Sequence, residues 1–161
     1  MLFDVDGVLT DGKLWYGSNG EALKAFHVLD GHGIKLLMQA GTTIALLSGR
    51  RSDAVSARAA ELGIGHVLQG IDDKRSAFEA LAARLGVPAA ETGFMGDEVV
   101  DLPVLRRCGF ACAPAQAHEL VRASAHYVTR APAGAGAARE ACEFVLRAQG
   151  RLDAALAPYL A

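Results

Sequence analysis

The chain contains the stretch MLFDVDGVLTDG at residues 1–12, where an apolar segment leads directly into an acidic loop. Residues 1–3 have the character of the end of a buried strand, and Asp4, Asp6 and Gly7 follow at the point where that strand turns. Farther along the chain, short apolar runs alternate with amphipathic segments. This alternation predicts an α/β fold, with a parallel sheet between two layers of helices.

The periodicity of the apolar residues predicts the individual elements of this three-layer, Rossmann-like sheet. Apolar runs bounded by turn residues predict further strands at about 43–47, 65–68, 93–95, 109–113 and 126–129. Amphipathic segments predict helices at about 32–41, 53–62, 74–85, 102–107, 117–123 and 137–148, with Phe78, Leu81 and Leu85 directed inward. The Asn19-Gly20 step predicts a β-hairpin over about 13–26. A Gly/Ala-rich loop, a helix and a terminal tail are expected over about 131–161.

Composition limits the class of protein. The 161 residues have the usual size of one domain, and we expect a single domain over residues 1–161. With 52% apolar and 21% charged residues the chain is not intrinsically disordered, and its net charge of −2 does not favour a nucleic-acid partner. We expect no leader segment, since no basic-then-apolar pattern opens the sequence, which also has no apolar run of the ~18 residues that span a membrane and no paired spacing of cysteines. We therefore expect a cytoplasmic domain with no membrane partner.

Polar side chains follow several predicted strands, and the carboxyl ends of parallel strands share one edge of a sheet. The polar residues and glycine at this edge are Asp4, Asp6, Thr10, Asp11, Ser48, Gly49, Arg50, Asp72, Asp73, Lys74, Asp97, Glu98 and Asp101. Clustered carboxylates repel one another unless a cation holds them, and oxygen ligands without His or Cys favour Mg²⁺. A hydroxyl, a lysine and an arginine suit phosphoryl oxygens, and one carboxylate could attack phosphorus to form an aspartyl-phosphate. The sequence therefore predicts Mg²⁺-dependent phosphoryl transfer.

Four stretches in order resemble the motifs of the haloacid-dehalogenase-like phosphohydrolases: residues 4–12 (DVDGVLTDG), 47–50 (LSGR), Lys74 and 96–101 (GDEVVD). The resemblance implies that Asp4 is the nucleophile. It implies that Asp6 protonates the leaving oxygen and then activates water against the aspartyl-phosphate.

The same resemblance implies the phosphate and metal ligands. Ser48 and Lys74 would hold the phosphate. Asp4, Asp97 and the backbone carbonyl of Asp6 would bind Mg²⁺. Asp101 would orient its neighbours without binding the metal itself.

A finer resemblance covers nearly the whole chain. Residues 10–16, 20–31, 127–130 and 136–140 are similar to the 3-deoxy-D-manno-octulosonate 8-phosphate phosphatase family, which removes phosphate from an eight-carbon acid sugar on the way to lipopolysaccharide. The resemblance implies a domain without a separate cap. It also implies a homotetramer in which the hairpin forms the central contact and neighbouring subunits close each active site.

Substrate contacts are implied for Asp6, His27, Val28, Leu29, Asp30, Gly31, Lys35, Gly49, Arg50, Arg58 and Lys74. Two positions depart from the family pattern. Leu29 stands where an arginine is usual, and leucine cannot replace the contact of a guanidinium with a carboxylate. Ala133 replaces the first glycine of a later loop. The substrate is therefore less well defined by the sequence than the reaction.

Other functions remain open at this point. A phosphatase for a nine-carbon acid sugar 9-phosphate would also suit Leu29. A receiver-type signalling domain also gathers acidic residues, a hydroxyl and a lysine, but its acceptor aspartate ends a later strand, whereas here strand 43–47 is followed by Ser48. A catalytically inactive scaffold would need only the hairpin. Arg58 could equally be a surface helix residue, and Trp15 and Tyr16 could be ordinary sheet packing.

Overall fold

The computed structural model describes residues 1–160, with the backbone alone for residues 21 and 22; Ala161, the last residue of the predicted tail, lies outside the described residues. The strands are β1 (Leu2–Phe3), β2 (Trp15–Gly17), β3 (Gly20–Leu23), β4 (Ala45–Leu47), β5 (His66–Leu68), β6 (Gly93–Met95), β7 (Phe110–Ala113) and β8 (Tyr127–Val128). The helices are α1 (Val28–Gln39), α2 (Asp53–Leu62), α3 (Lys74–Leu85), α4 (Leu102–Leu105), α5 (Glu119–Ser124), α6 (Ala137–Ala148) and α7 (Leu152–Leu156). Short 3-10 turns cover Ala89–Glu91, Val99–Asp101 and Ala157–Tyr159.

Six parallel strands form one sheet in the order β5-β4-β1-β6-β7-β8. The central strand β1 pairs with β4 on one side and β6 on the other, with Phe3 opposite Leu46 and Met95. The connections reverse direction at β1, and such a reversal leaves a crevice at the carboxyl ends of the strands. The acidic loop after Phe3 therefore begins in the middle of that edge.

The sheet is covered on both faces, as the sequence predicts. One buried cluster packs α1, α2, α6 and α7 against the sheet, around Phe3, Ile34 and Leu146. The opposite cluster packs α3, α4 and α5, around Phe78 and Phe94. Leu85, predicted to face inward, is instead exposed at the end of α3.

Strands β2 and β3 form a separate antiparallel hairpin, as predicted. Gly17 pairs with Gly20, so the central turn residues are Ser18 and Asn19 and not the predicted Asn19-Gly20 step. Gly20 adopts a φ of +104°, a conformation that side chains beyond hydrogen rarely take. Gly20 is therefore the first residue of β3 and not a central residue of the turn.

Two predicted boundaries are wrong. Helix α1 begins at Val28 and not after Gly31, because His27 caps it and Gly31 packs closely against Arg58. The predicted tail contains α7, whose Leu152 is buried in the core. A tertiary contact overrides a weak local preference in both places. Within residues 1–160, none of the helices has the length and hydropathy of a membrane span.

Candidate active site

Groups predicted to act together converge at the carboxyl edge of the sheet. Asp4 follows β1 and Ser48 follows β4, and both side chains are buried. Lys74 is the first residue of α3, and Asp97 follows β6 by two residues. The edge of the sheet thus brings two carboxylates, a hydroxyl and an ammonium group to one place.

Lys74 connects two of the carboxylates. Its Nζ lies 2.9 Å from Oδ1 of Asp4 and 2.7 Å from Oδ1 of Asp101. The side chain of Asp73 caps α3 by accepting from the amide of Ser76, so the helix start that carries Lys74 is held in place. Burial lowers the pKa of Lys74, but the neighbouring carboxylates outweigh it and hold that pKa above its ordinary value. Lys74 therefore stays charged.

Asp101 is fully buried and its oxygens are occupied by protein donors. Its Oδ2 accepts from the backbone amides of Asp97, at 3.0 Å, and Glu98, at 3.3 Å, while its Oδ1 meets Lys74. These contacts hold the loop that carries Asp97. The geometry agrees with an orienting role for Asp101.

Three acidic side chains form a cluster that suits a hard cation. One oxygen from each of Asp4, Asp97 and Asp101 lies within 4.8 Å of the others. Oδ1 of Asp97 is buried and has no hydrogen-bond partner among the described residues. Burial and the neighbouring carboxylates raise the pKa of Asp4 to about 6 and that of Asp97 to about 7. The protein alone leaves this cluster short of positive charge, and the oxygen donor set fits Mg²⁺.

The loop after β1 closes tightly on this cluster. Gly7 has a φ of +85°, and a Cβ at this position would lie 2.0 Å from Oδ2 of Asp97. The buried Oγ1 of Thr10 accepts from the amides of Gly7, at 3.4 Å, and Gly12, at 3.3 Å. Only glycine fits at residue 7, because any side chain would occupy the space beside the Asp97 carboxylate.

Asp6 lies between cations from two different elements. Nζ of Lys24, a residue that directly follows β3, contacts Oδ1 of Asp6. Arg50 Nε lies 4.0 Å from Oδ2 of Asp6, and Arg50 Nη1 donates to the hydroxyl of Tyr16 at 3.5 Å. The amide of Arg50 donates to Oγ of Ser48 at 3.2 Å, and Gly49 joins these two residues. The hairpin therefore reaches the site through two side chains.

Lys24 is the main functional candidate that the sequence analysis missed. It belongs to none of the four motifs at the strand ends, because it follows a strand of the hairpin and not of the main sheet. The available signal was a lysine among apolar neighbours in the stretch Leu23–Phe26, where a charged side chain needs a partner if it is buried.

The segment 27–31 connects the start of α1 to the start of α6. Asp30 is buried, and its carboxylate accepts from the amides of Gly136, at 3.2 Å, and Arg139, at 2.8 Å, so it caps the start of α6. Nδ1 of His27 accepts from the amide of Leu29 and caps α1. The Asp30 carboxylate and Gly31 thus pack against protein, because the loop is the first turn of a packed helix, and their role as substrate contacts stays a prediction.

Other predicted substrate contacts lie nearer to solvent. Val28 and Arg58 line one cleft of about 460 Å³ beside Lys24, which was not among the predicted contacts, and Leu29 is half exposed. Arg58 pairs with Glu61 of the same helix, α2, at 2.8 Å. Lys35 is exposed on α1.

Comparison with known proteins adds independent evidence. Residues 66–140 match the haloacid dehalogenase-like hydrolase family. The 3-deoxy-D-manno-octulosonate 8-phosphate phosphatases KdsC of Escherichia coli strain K12 and of Yersinia pestis are each 43% identical over 155 residues; these cover 96% of this chain and 82% and 83% of the two relatives.

Two solved structures share the whole fold. A probable YrbI family phosphatase from Pseudomonas syringae is 48% identical, with a TM-score of 0.97 over 99% of this chain and 91% of that chain. The 3-deoxy-D-manno-octulosonate 8-phosphate phosphatase from Moraxella catarrhalis, solved with magnesium, phosphate and KDO, is 42% identical, with a TM-score of 0.95 over 98% of this chain and 91% of that chain. Fold, motif order and identity agree, and the chain belongs to the 3-deoxy-D-manno-octulosonate 8-phosphate phosphatase family of the haloacid dehalogenase-like hydrolases.

Proposed function

We propose that this chain is a Mg²⁺-dependent phosphatase that hydrolyses 3-deoxy-D-manno-octulosonate 8-phosphate to 3-deoxy-D-manno-octulosonate and phosphate, in the synthesis of a lipopolysaccharide precursor. The observation that carries the proposal is the contact of Lys74 with both Asp4 and Asp101 beside the unpartnered oxygen of Asp97. A phosphoryl group has three oxygens that need positive charge and donors, and this edge of the sheet supplies them next to a nucleophile.

Two half-reactions follow from the positions of the two aspartates. In the first, a carboxylate oxygen of Asp4 bonds to phosphorus while the bond to the sugar oxygen breaks, and Asp6 gives that oxygen its proton. In the second, Asp6 takes a proton from water, whose oxygen bonds to phosphorus and releases Asp4. Ser48 and Lys74 hold the phosphoryl oxygens throughout.

Asp4, Asp97 and the backbone carbonyl of Asp6 would hold Mg²⁺ at the acidic cluster. When bound, the cation supplies charge that offsets the repulsion between phosphate and carboxylates. The raised pKa values of Asp4 and Asp97 support this assignment, because they report carboxyl groups that the protein alone does not neutralise.

Substrate contacts are proposed at the open side of the site. The exposed side chains of Val28, Leu29 and Arg50, together with Arg58, flank this side. Leu29 offers no charge to a carboxylate, and a nine-carbon acid sugar 9-phosphate therefore stays the second candidate substrate.

The proposal includes a single domain over residues 1–161 that assembles as a homotetramer in the cytoplasm. Exposed apolar side chains on the hairpin (Trp15, Tyr16 and Leu23) support assembly through that element. A neighbouring subunit would close the site, which in the described residues has no cap domain above it.

The test is phosphate release from the eight-carbon and nine-carbon acid sugar phosphates and from an aryl phosphate, with and without Mg²⁺. We expect Mg²⁺-dependent release that is strongest for the eight-carbon substrate. The Asp4→Asn variant should fold and lose at least about 10³-fold of this turnover, as expected for loss of a covalent nucleophile. Wild-type turnover in this variant would contradict the mechanism, and release from the aryl phosphate alone would contradict the substrate.

A further inference from the structure

Lys24 brings a buried positive charge to Asp6 from outside the main sheet. Its side chain is 1% exposed, and its Nζ contacts Oδ1 of Asp6. Burying an ammonium group is unfavourable unless a charged partner compensates for the lost water. The carboxylate of Asp6 provides this compensation where the hairpin meets the acidic loop.

The two oxygens of Asp6 have different surroundings. Lys24 contacts Oδ1, while Oδ2 lies on the side of Arg50, whose Nε is 4.0 Å away. An acid must lie within about 2.6–3.2 Å of the atom that it protonates, so the carboxylate must not rotate freely. A cation bound to one oxygen fixes the rotation and leaves the other oxygen to carry the proton.

We propose that Lys24 is a positioning residue that holds Oδ1 of Asp6 so that Oδ2 transfers the proton in both half-reactions. The inference rests on the proposed function, because it requires Asp6 to act as acid and base. The Oδ2–H bond of Asp6 breaks as the sugar oxygen leaves phosphorus and gains that proton. Oδ2 then regains a proton from the water that attacks the aspartyl-phosphate.

Leaving groups of different basicity test this role in the Lys24→Met variant. A sugar alkoxide needs a proton to leave, whereas a nitrophenolate leaves without one. We expect kcat for the sugar phosphate to fall by about 10–100-fold, part of the usual contribution of acid–base catalysis. KM should change by less than about threefold, since substrate binding is not removed.

The aryl phosphate should give a distinct time course in the same variant. Formation of the aspartyl-phosphate stays fast, but its hydrolysis is slow, so a burst of about one nitrophenolate per active site should precede a slow steady state. The sugar phosphate should give no burst. A general structural disturbance would slow both phases with both substrates and would not produce this contrast.

Matched variants complete the experiment. Lys24→Arg keeps the charge near Asp6 and should recover most of the turnover. Lys13→Met removes another lysine–aspartate pair near the hairpin, the exposed 2.9 Å contact of Lys13 with Asp11, and should leave kcat unchanged. Lys24→Gln provides the same comparison if thermal unfolding shows that the methionine variant does not fold.

Two results would overturn the inference. A rise in KM for the sugar acid alone, with kcat unchanged, would mean that Lys24 binds the substrate carboxylate. An equal loss with both substrates and no burst would mean that Lys24 only stabilises the fold. Failure of the wild-type protein to release phosphate from either substrate would instead refute the proposed function.

Discussion

Leu29 is the residue that we expect to affect substrate choice most directly. Its side chain is 49% exposed at the start of α1, close to Val28 and the cleft that Arg58 lines. A leucine at this place offers apolar contact but no partner for a carboxylate. The charge of the substrate must therefore be bound by other groups, or the site must bind it weakly.

Leu29→Arg should improve binding of a carboxylated sugar phosphate. A new partly exposed ion pair contributes about 1 kcal/mol, which lowers KM by roughly fivefold. The measurement is KM for the acid sugar phosphate and for an aryl phosphate that carries no carboxylate, whose KM should stay constant. Leu120→Arg is the matched control, since Leu120 is 51% exposed on α5 and is not among the proposed substrate contacts. An unchanged KM for both substrates would place the carboxylate contact elsewhere.

Helix α6 is attached to the sheet edge by Glu140. Its carboxylate accepts from the hydroxyl of Tyr127 at 2.6 Å and from the amides of Arg130, at 3.1 Å, and Ala131, at 2.9 Å. These bonds fix the loop that continues to Gly134, whose amide donates to the carbonyl of Val8 beside the acidic loop. A contact in α6 thus supports the segment that carries Asp4 and Asp6.

Glu140→Gln should lower the free energy of unfolding by about 1–3 kcal/mol, because one acceptor oxygen becomes a donor that faces other donors. For a chain of this size the midpoint of thermal unfolding should fall by about 2–4 °C per kcal/mol. Glu143→Gln in the same helix, which weakens only a pair with Arg139, should change it much less. Equal stability of both variants would contradict the role of Glu140.

The stability difference between wild type and Glu140→Gln should depend on pH. Burial raises the pKa of Glu140, but the Tyr127 hydroxyl and the two amides outweigh it and hold that pKa below its ordinary value of 4.5. The stability from Glu140 is therefore complete above pH 4.5 and is lost as the pH falls through the lower pKa of the folded state. The difference in unfolding free energy between wild type and Glu140→Gln should narrow as the pH falls below the folded-state pKa of Glu140. A difference that does not depend on pH would contradict the assignment.

In the molecule as a whole, the hairpin combines exposed apolar side chains with contacts to the candidate active site. Trp15, Tyr16 and Leu23 are 55%, 64% and 66% exposed, so three large apolar side chains of one hairpin face solvent. Tyr16 and Lys24 also reach Arg50 and Asp6. A partner that packs on the hairpin would restrict both contacts.

Replacing Trp15 and Leu23 together by serine should reduce the molar mass in solution from that of the proposed tetramer to a smaller one, since the proposed contact depends on these apolar side chains. Turnover should fall with it, because the site loses its closure. Light scattering coupled to size exclusion measures the mass, and Leu120→Ser is the control with a similarly exposed leucine on α5. A wild-type monomer, or an unchanged mass in the double variant, would exclude assembly through the hairpin.

Local patterns were enough to predict the main elements and the order of the motifs. Helices α2, α3 and α6 begin and end at the predicted residues, since their apolar periodicity and the left-handed glycines Gly63 and Gly86 act within one or two turns. The acidic residues after β1 and β6 were also predicted to meet, because parallel strands place their carboxyl ends together. These features depend on residues close together in the chain, so they can be predicted from a single sequence.

Contacts between distant segments could not be predicted in the same way. Asp30 binds the amide of Gly136, 106 residues away, and this contact attaches the first turn of α1 to the start of α6. Lys24 meets Asp6 only because the hairpin folds back over the sheet edge, which no strand-end rule anticipates. Side-chain pairing across the fold depends on how whole elements pack, and the free energy of burying a charge selects the partner only once that packing exists.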